Sequence, residues 1–493
     1  MSLILAIDQG TSSSRGIVFD MADGRILGVG QQAFDMYFPH DGWVEQDPET
    51  LWRTTVESAR AAIASAGATA HEISAIGITN QRETTLVWDR SSGECVHNAI
   101  VWQDRRTAER CRRMAADGLA ESVRATTGLV LDPYFSGTKL AWLLDQVPGL
   151  RRRAAAGELC FGTVDSFLLW RLTGGRAHLT DATNASRTQL FDINRQRWDP
   201  QLLDYFDIPE ALLPEVCDSA HAFGTADAEW FGAPIPIAGI AGDQQAALIG
   251  QGCLAEGACK STYGTGCFVM ANTGAEPRPS GNGLLTTLAY RLQGRPTYAL
   301  EGSIFVAGVA VKWLRDQLGL IDDAAQTERL ARSVDGDARG VCFVPAFTGL
   351  GAPHWSPNAR GTLTGLTSDT QPAHIVTAAL QSVGFQTAEL LDAMAADGAA
   401  VTRLGVDGGM VANDWLCQFL ADVLNRPVTR PQTIETTALG AAMLAAAGAD
   451  GDLGGIRQAW GQGRAFTPNL AEAKRAALLE GWRRAVRQTL AGT

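Results

Sequence analysis

Three short stretches carry side chains that could handle phosphate and an alcohol. The first, Asp8-Gln9-Gly10-Thr11-Ser12-Ser13-Ser14-Arg15, lies between apolar runs at 3–7 and 16–20. Its glycine and four consecutive hydroxyl residues offer donors for phosphate oxygens. Asp8 could hold the hydration shell of Mg²⁺, and Arg15 adds a cationic fork. The second, Asn80-Gln81-Arg82-Glu83, follows the apolar run 73–79, and the third, Asp243-Gln244-Gln245, follows the run 236–242. Polar clusters at the ends of buried strands are where α/β proteins build sites. Two carboxylates so placed, Asp8 and Asp243, suggest a shared phosphate cleft. Taken singly, the first stretch also fits an ordinary polar hairpin turn, and Arg82-Glu83 also fits a surface ion pair.

Holding these groups requires strands that end at one level. The pattern predicts strand, tight turn and strand from residue 3 to 20, a third strand over 26–34, and a helix from Asp47-Pro48-Glu49 to about residue 66. Further strands are expected over 73–79 and 84–88, and an alanine-rich helix after Asp243. Lone aromatics such as Trp102 and Tyr134 fit either the core or a ligand wall. The second half opens with Lys260-Ser261-Thr262-Tyr263-Gly264-Thr265-Gly266-Cys267-Phe268, again strand, turn and strand. This repetition suggests two related domains, 1–250 and 251–493. Residues 195–236 read as loop-rich, 305–318 as a helix, 348–353 as a glycine-rich loop, and a long helix begins near His374. Leu404-Gly405-Val406-Asp407-Gly408-Gly409 is a strand reaching a double-glycine turn, with Asn413 at the next helix. The segment from about 470 to 490 reads as an amphipathic surface helix.

Composition narrows the function classes. The chain has 493 residues, too many for one core. With 46% hydrophobic and 19% charged residues it is a folded chain. No apolar run approaches the ~18 residues of a membrane span, and no basic region precedes the first apolar run, so a cytoplasmic protein without membrane insertion is expected. Nine scattered cysteines without a C-x-x-C pair argue against disulfides and zinc. A net charge of −12 argues against nucleic acid as a partner. P-loop, dinucleotide, nucleophile-elbow and H-E-x-x-H patterns are absent from the sequence.

Together, Asp8–Arg15, Asn80–Glu83, Asp243-Gln244, Tyr263–Phe268 and Val406–Asn413 resemble the FGGY family of carbohydrate kinases, almost end to end. Two longer stretches also match family signatures: 134–146 around Lys139 and Trp142, and 361–381 around Gly365 and His374. The 80–85 stretch, with Trp102, Tyr134 and Phe268, is similar to the glycerol-using branch. The resemblance implies an α/β fold of two actin-like (ribonuclease H-like) domains facing a central cleft, with glycerol and phosphate on the first and nucleotide on the second. It implies Mg-ATP-dependent phosphorylation of glycerol to sn-glycerol 3-phosphate with Asp243 as general base. Arg82, Glu83, Tyr134, Asp243 and Gln244 would bind glycerol, with Trp102 and Phe268 against its carbon side. Thr11, Ser12, Ser13 and Arg15 would meet phosphates, Asp8 would act with Mg²⁺, and Thr265, Gly308, Lys312, Gly409 and Asn413 would face the nucleotide. Another small polyol or triose as acceptor, and a non-catalytic ATP-binding protein, are the alternatives. Family members imply a homo-oligomer, dimer or tetramer. Lys312 stands where well-known bacterial members carry Gln. Residues 227–234 lack the loop through which some relatives bind fructose 1,6-bisphosphate and the histidine that others have phosphorylated. Residues 468–472 lack an acid offered to a phosphotransferase regulator, so these controls are expected to be absent or altered.

Overall fold

The fold, seen in a computed structural model, is described for residues 2–356, 358–448, 452–453 and 463–492. The first apolar runs form the expected hairpin, β1 (Leu3–Gln9) with β2 (Ser13–Asp20), extended by β3 (Arg25–Ala33). Helix α1 (Pro48–Ser65) follows with Asp47 as its cap, accepting from the amides of Glu49 and Thr50, and Pro48 in the first turn where its missing N–H is not needed. Strand β4 (Ile73–Asn80) then joins β1 in parallel. After an insertion containing α2 (Ser136–Gln146), β5 (Ala220–Ala226) and β6 (Ile235–Gly242) complete a six-stranded sheet in the order β5-β6-β4-β1-β2-β3. Helix α3 (Asp243–Gly250) leaves its end.

The second half repeats this plan. Strands β7 (Ala258–Tyr263), β8 (Cys267–Gly274), β9 (Leu285–Leu292), β10 (Arg295–Ile304), β11 (Arg403–Asp407), β12 (Val428–Arg430) and β13 (Arg464–Phe466) pair in the order β9-β10-β8-β7-β11-β12-β13. β7 pairs antiparallel with β8 and parallel with β11, as β1 does with β2 and β4. The repeated hairpin noticed in the sequence is therefore one corner of a repeated sheet, and the mixed α/β fold of two actin-like halves is present.

The helices of the second half include α4 (Gly308–Asp316), α5 (Pro372–Ala396), α6 (Asp414–Leu424), α7 (Thr436–Ala447) and α8 (Glu472–Ala491). α7 crosses over: Ala438, Leu439, Ala442 and Ala445 pack with Ile4, Ala6, Ile17 and Phe19 of the first sheet. α3 returns the exchange, placing Ala246, Leu248 and Ile249 with Ala258 and Met270 of the second. The two helices touch backbone to backbone, so that a Cβ on Gly440 would lie 1.8 Å from the Ala246 carbonyl oxygen. Small residues at this crossing join the halves.

Three expectations need correction. Residues 195–236 are not mainly loop: they hold β5, a short strand Glu215–Cys217 and a helix Pro200–Phe206, whose proline occupies the first helical turn behind an Asp199 cap. The helix expected over 305–318 spans only Gly308–Asp316, because the Ala307 and Gly308 amides are spent on the carbonyls of Thr265 and Gly264. α8 is more than a surface helix, since Leu479, Trp482, Ala485 and Val486 are buried in the second core and Trp482 stacks on Phe385.

Candidate active site

β4 delivers Arg82 and Glu83 into the protein, each side chain only 2% exposed, which removes the surface ion-pair reading. A buried guanidinium is tolerated when its donors are met. Arg82 Nη1 and Nη2 reach Glu301 Oε2 and Oε1 at 2.6 and 3.2 Å, Nη1 also meets Gln245 Oε1 at 3.3 Å, and Nε lies 3.1 Å from Asp243 Oδ1. Arg187 closes the ring, donating from Nε to Glu83 Oε1 at 2.6 Å and from Nη2 to Glu301 Oε1 at 2.9 Å. Two arginines and two glutamates thus balance, with Asp243 at the open edge, its side chain 32% exposed. Burial alone would push the Glu301 acid up, but Arg187 and Arg82 outweigh it and hold it at about 2.

Glu83 sits at φ 61°, the left-handed region that a non-glycine residue enters only under local constraint. Its carbonyl accepts from Ser136 Oγ at 3.0 Å and Lys139 Nζ at 3.5 Å, both on α2. Lys139 Nζ also donates to the carbonyls of Tyr134 and Phe135, and burial pulls its ammonium down to about 8. α2 therefore fixes Glu83 and Tyr134 together. The aromatic wall stands beside them: Trp102 meets Tyr134 at 5.6 Å and Phe268 at 6.4 Å between ring centroids. Trp102 Nε1 donates to Thr11 Oγ1 at 2.9 Å, which ties the wall to the glycine-hydroxyl turn.

Asp243 opens α3. Its Oδ1 accepts from the Gln244 amide at 2.8 Å, and its Oδ2 from Gln244 Nε2 at 3.1 Å. The preceding Gly242 amide is held by Thr183 Oγ1 at 2.9 Å. Gln244 Oε1 accepts in turn from Lys260 Nζ, so both ends of its amide are engaged within the chain.

Of the residues expected on the phosphate side, Asp8 is close enough to Asp243 to feel its charge. Asp8 lies opposite Arg15 in the β1–β2 register, and Arg15 forms an ion pair with Glu435, just before α7. Burial raises the Asp8 acid to about 7; Arg15 opposes this, while Glu435 and Asp243 add to it. Ser13 Oγ accepts from Gln31 Nε2 at 3.1 Å, and Ser12 is exposed. In the second half the Gly264–Gly266 turn docks on the start of α4: the Gly308 amide donates to Gly264 O at 3.0 Å, and a Cβ on Gly308 would lie 2.6 Å from that oxygen. Thr265 and Gly308 are thereby adjacent, and Lys312 is exposed one turn further along α4. A Cβ on Gly409 would meet nothing within 4 Å, so its backbone faces open space. Asn413 caps α6, accepting from the Leu416 amide at 2.9 Å and donating to Thr327 Oγ1 at 3.2 Å.

Glu301, Arg187, Lys260 and Glu435 were not singled out from sequence, and Lys139 only as part of a signature. The available signal was a charge inside a strand pattern: Glu301 in Leu300-Glu301-Gly302 and Lys260 in Cys259-Lys260-Ser261. A charge there must be paired, since an isolated one is too costly to bury.

Residues 3–250 match the N-terminal domain, and residues 259–449 the C-terminal domain, of the FGGY family of carbohydrate kinases. The chain is 60% identical over 491 residues to a glycerol kinase of Rhodospirillum centenum, covering 99% of this chain and 98% of that protein. It is 58% identical to glycerol kinase 1 of Pseudomonas aeruginosa, covering 98% of each. The crystal structure of Plasmodium falciparum glycerol kinase with ADP superposes with a TM-score of 0.92 at 35% identity, over 99% of this chain and 98% of that one. The chain belongs to the FGGY family of carbohydrate kinases.

Proposed function

We propose that this chain is an ATP:glycerol 3-phosphotransferase, forming sn-glycerol 3-phosphate and ADP. The observation that carries the reading is the neutral, buried Arg82–Glu83–Arg187–Glu301 ring presenting Asp243 beside the Trp102–Tyr134–Phe268 wall. A triol needs fixed charged partners for its hydroxyls and an apolar surface for its short carbon chain. In this reading Arg82 and Glu83 bind two hydroxyls, and Tyr134 and Gln244 complete the polar side. The remaining hydroxyl oxygen attacks the γ-phosphorus of ATP as Asp243 takes its proton. The bond from that phosphorus to the bridging oxygen breaks, and the electron pair leaves on ADP. Catalysis here is mainly positioning and charge neutralisation.

Thr11, Ser12, Ser13 and Arg15 face the transferring phosphates, and Thr265, Gly308, Lys312, Gly409 and Asn413 the rest of the nucleotide. In this reading Asp8 would hold a Mg²⁺ ion: burial raises its carboxyl to about 7, and a cation beside it would favour the ionised form. When bound, the ion would neutralise phosphate charge. We place the domain boundary near residue 250, with acceptor and phosphate groups on 1–250 and nucleotide contacts on 251–493. No helix among the described residues is long and apolar enough to cross a membrane. A cytoplasmic homo-oligomer, dimer or tetramer, is part of this proposal and is checked by light scattering.

The test is a coupled ADP-release assay with ATP and Mg²⁺, comparing no acceptor, glycerol, dihydroxyacetone, erythritol and D-xylulose. Release that requires glycerol and weakens with the larger acceptors supports the reading. Equal release with and without acceptor overturns it.

A further inference from the structure

Lys260 is the second half's own cation in the acceptor site. It lies on β7, its side chain fully buried, and its ammonium meets two neutral oxygens, Gln244 Oε1 and Thr262 Oγ1, the latter at 3.0 Å. The charged groups around it are Asp407 at the end of β11, Asp243 on α3, Arg82 after β4 and Glu301 on β10. Burying an ammonium is costly, and the Asp407, Asp243 and Glu301 carboxylates around it offset that cost while its direct hydrogen bonds go to neutral oxygens. Its hydrogen-bond partner is informative. Gln244 Oε1 receives the Lys260 proton while Gln244 Nε2 donates to Asp243 Oδ2 at 3.1 Å. An amide that accepts from a cation is polarised, and its N–H becomes a stronger donor. The amide's orientation is also fixed, since only its oxygen can accept from Lys260 and only its nitrogen can donate to a carboxylate.

We propose that Lys260 is a positioning residue that acts through the Gln244 amide to hold Asp243 Oδ2, leaving the carboxylate oriented for proton transfer. The chain of contacts crosses from the second sheet to the first, so the base is set only when the halves are in register. This rests on the reading of Asp243 as the base, and the experiment separates the two. Gln244, expected from the family resemblance to touch glycerol, gives one Nε2 proton to Asp243 and keeps the other for an acceptor hydroxyl.

The experiment compares Lys260→Met, Gln244→Met, the double variant and Asp243→Asn in steady-state ADP release with glycerol, with ADP affinity measured alongside. Each single relay variant should lose about 10- to 100-fold in kcat at saturating glycerol, the range of a mispositioned proton acceptor, and Lys260→Met, which touches no acceptor hydroxyl, should keep the glycerol KM within about threefold. The double variant should be no slower than the slower single, because both break one relay. A kcat near wild type, a loss confined to KM, or losses that multiply would overturn the proposal. Should Lys260→Met fail to fold, Gln244→Met decides by kcat at saturating glycerol, with ADP affinity retained as evidence of folding. Near-normal turnover in Asp243→Asn would remove the base assignment, and this proposal with it.

Discussion

Replacing Glu301 with glutamine probes the buried ring where it joins the two halves. Glu301 accepts from Arg82 twice and from Arg187 once, and its side chain is fully buried. Its acid is held at about 2 against an ordinary 4.5. That difference is worth about 3 kcal/mol at ~1.36 kcal/mol per pH unit. Removing one partner of a buried ion pair costs about 3–5 kcal/mol by direct precedent, so two routes agree. Glu301→Gln should therefore lower the unfolding free energy by about 3 kcal/mol near neutral pH, read by urea denaturation. Because the folded value lies below the unfolded one, this stabilisation is present above about 4.5 and is lost as pH falls toward about 2, so the variant and wild type converge in acid. Function should suffer separately. Without its bidentate anchor, Arg82 keeps Asp243, Gln245 and the longer 3.9 Å contact with Glu83, and kcat/KM for glycerol should fall about 100-fold while ADP affinity is retained. A variant within about 1 kcal/mol of wild type in stability and within about threefold in kcat/KM would refute the assignment of the ring as the acceptor scaffold.

Other consequences can be checked independently. Asp165 is buried between the Thr163 and Thr180 hydroxyls, and burial raises it from 3.8 to about 7; the native state then binds the proton more tightly, so stability should fall as pH rises through that range. Asp165→Asn should flatten that slope and stabilise the protein above neutral pH, by at most about 4 kcal/mol. Gly440→Ala should destabilise by about 3 kcal/mol, the upper end of the usual overpacking cost, since its Cβ would lie 1.8 Å from backbone at the α3–α7 crossing; an unchanged urea midpoint would show that the crossing can open at little cost. Fructose 1,6-bisphosphate should leave glycerol turnover unchanged: residues 228–231 form a short helix whose Glu229 and Trp230 carbonyls are held by Arg60, and an inhibition curve would show this surface to be an effector site.

Much of the site was legible because its residues lie where strands stop. Arg82-Glu83 and Asp243-Gln244 each follow an apolar run that reads as a buried strand, and an abrupt polar cluster there is a local signal, while Gly264-Thr265-Gly266 is marked by its two glycines. The repeated hairpin likewise carried the duplication of the fold. What sequence did not reveal was partnership. Arg82 and Glu301 are 219 residues apart, Arg187 and Glu83 104, and a charge buried in a pair is written with the same letter as one in water. Nor could a helix pattern show that α7 packs on the opposite half, since its alanines suit any close crossing. The shortened α4 failed for another reason: its expected first turn gives its amides to the Gly264–Gly266 turn, a tertiary contact that helix propensity does not contain.

In the proposed function Asp243 accepts the glycerol proton, and turnover of Asp243→Asn at saturating ATP, Mg²⁺ and glycerol decides that assignment. With ADP binding intact as evidence of folding, kcat should fall by about 10²- to 10⁴-fold, the usual contribution of a positioned general base. A kcat within about threefold of wild type would contradict it, and the buried ring would then be a scaffold without a base.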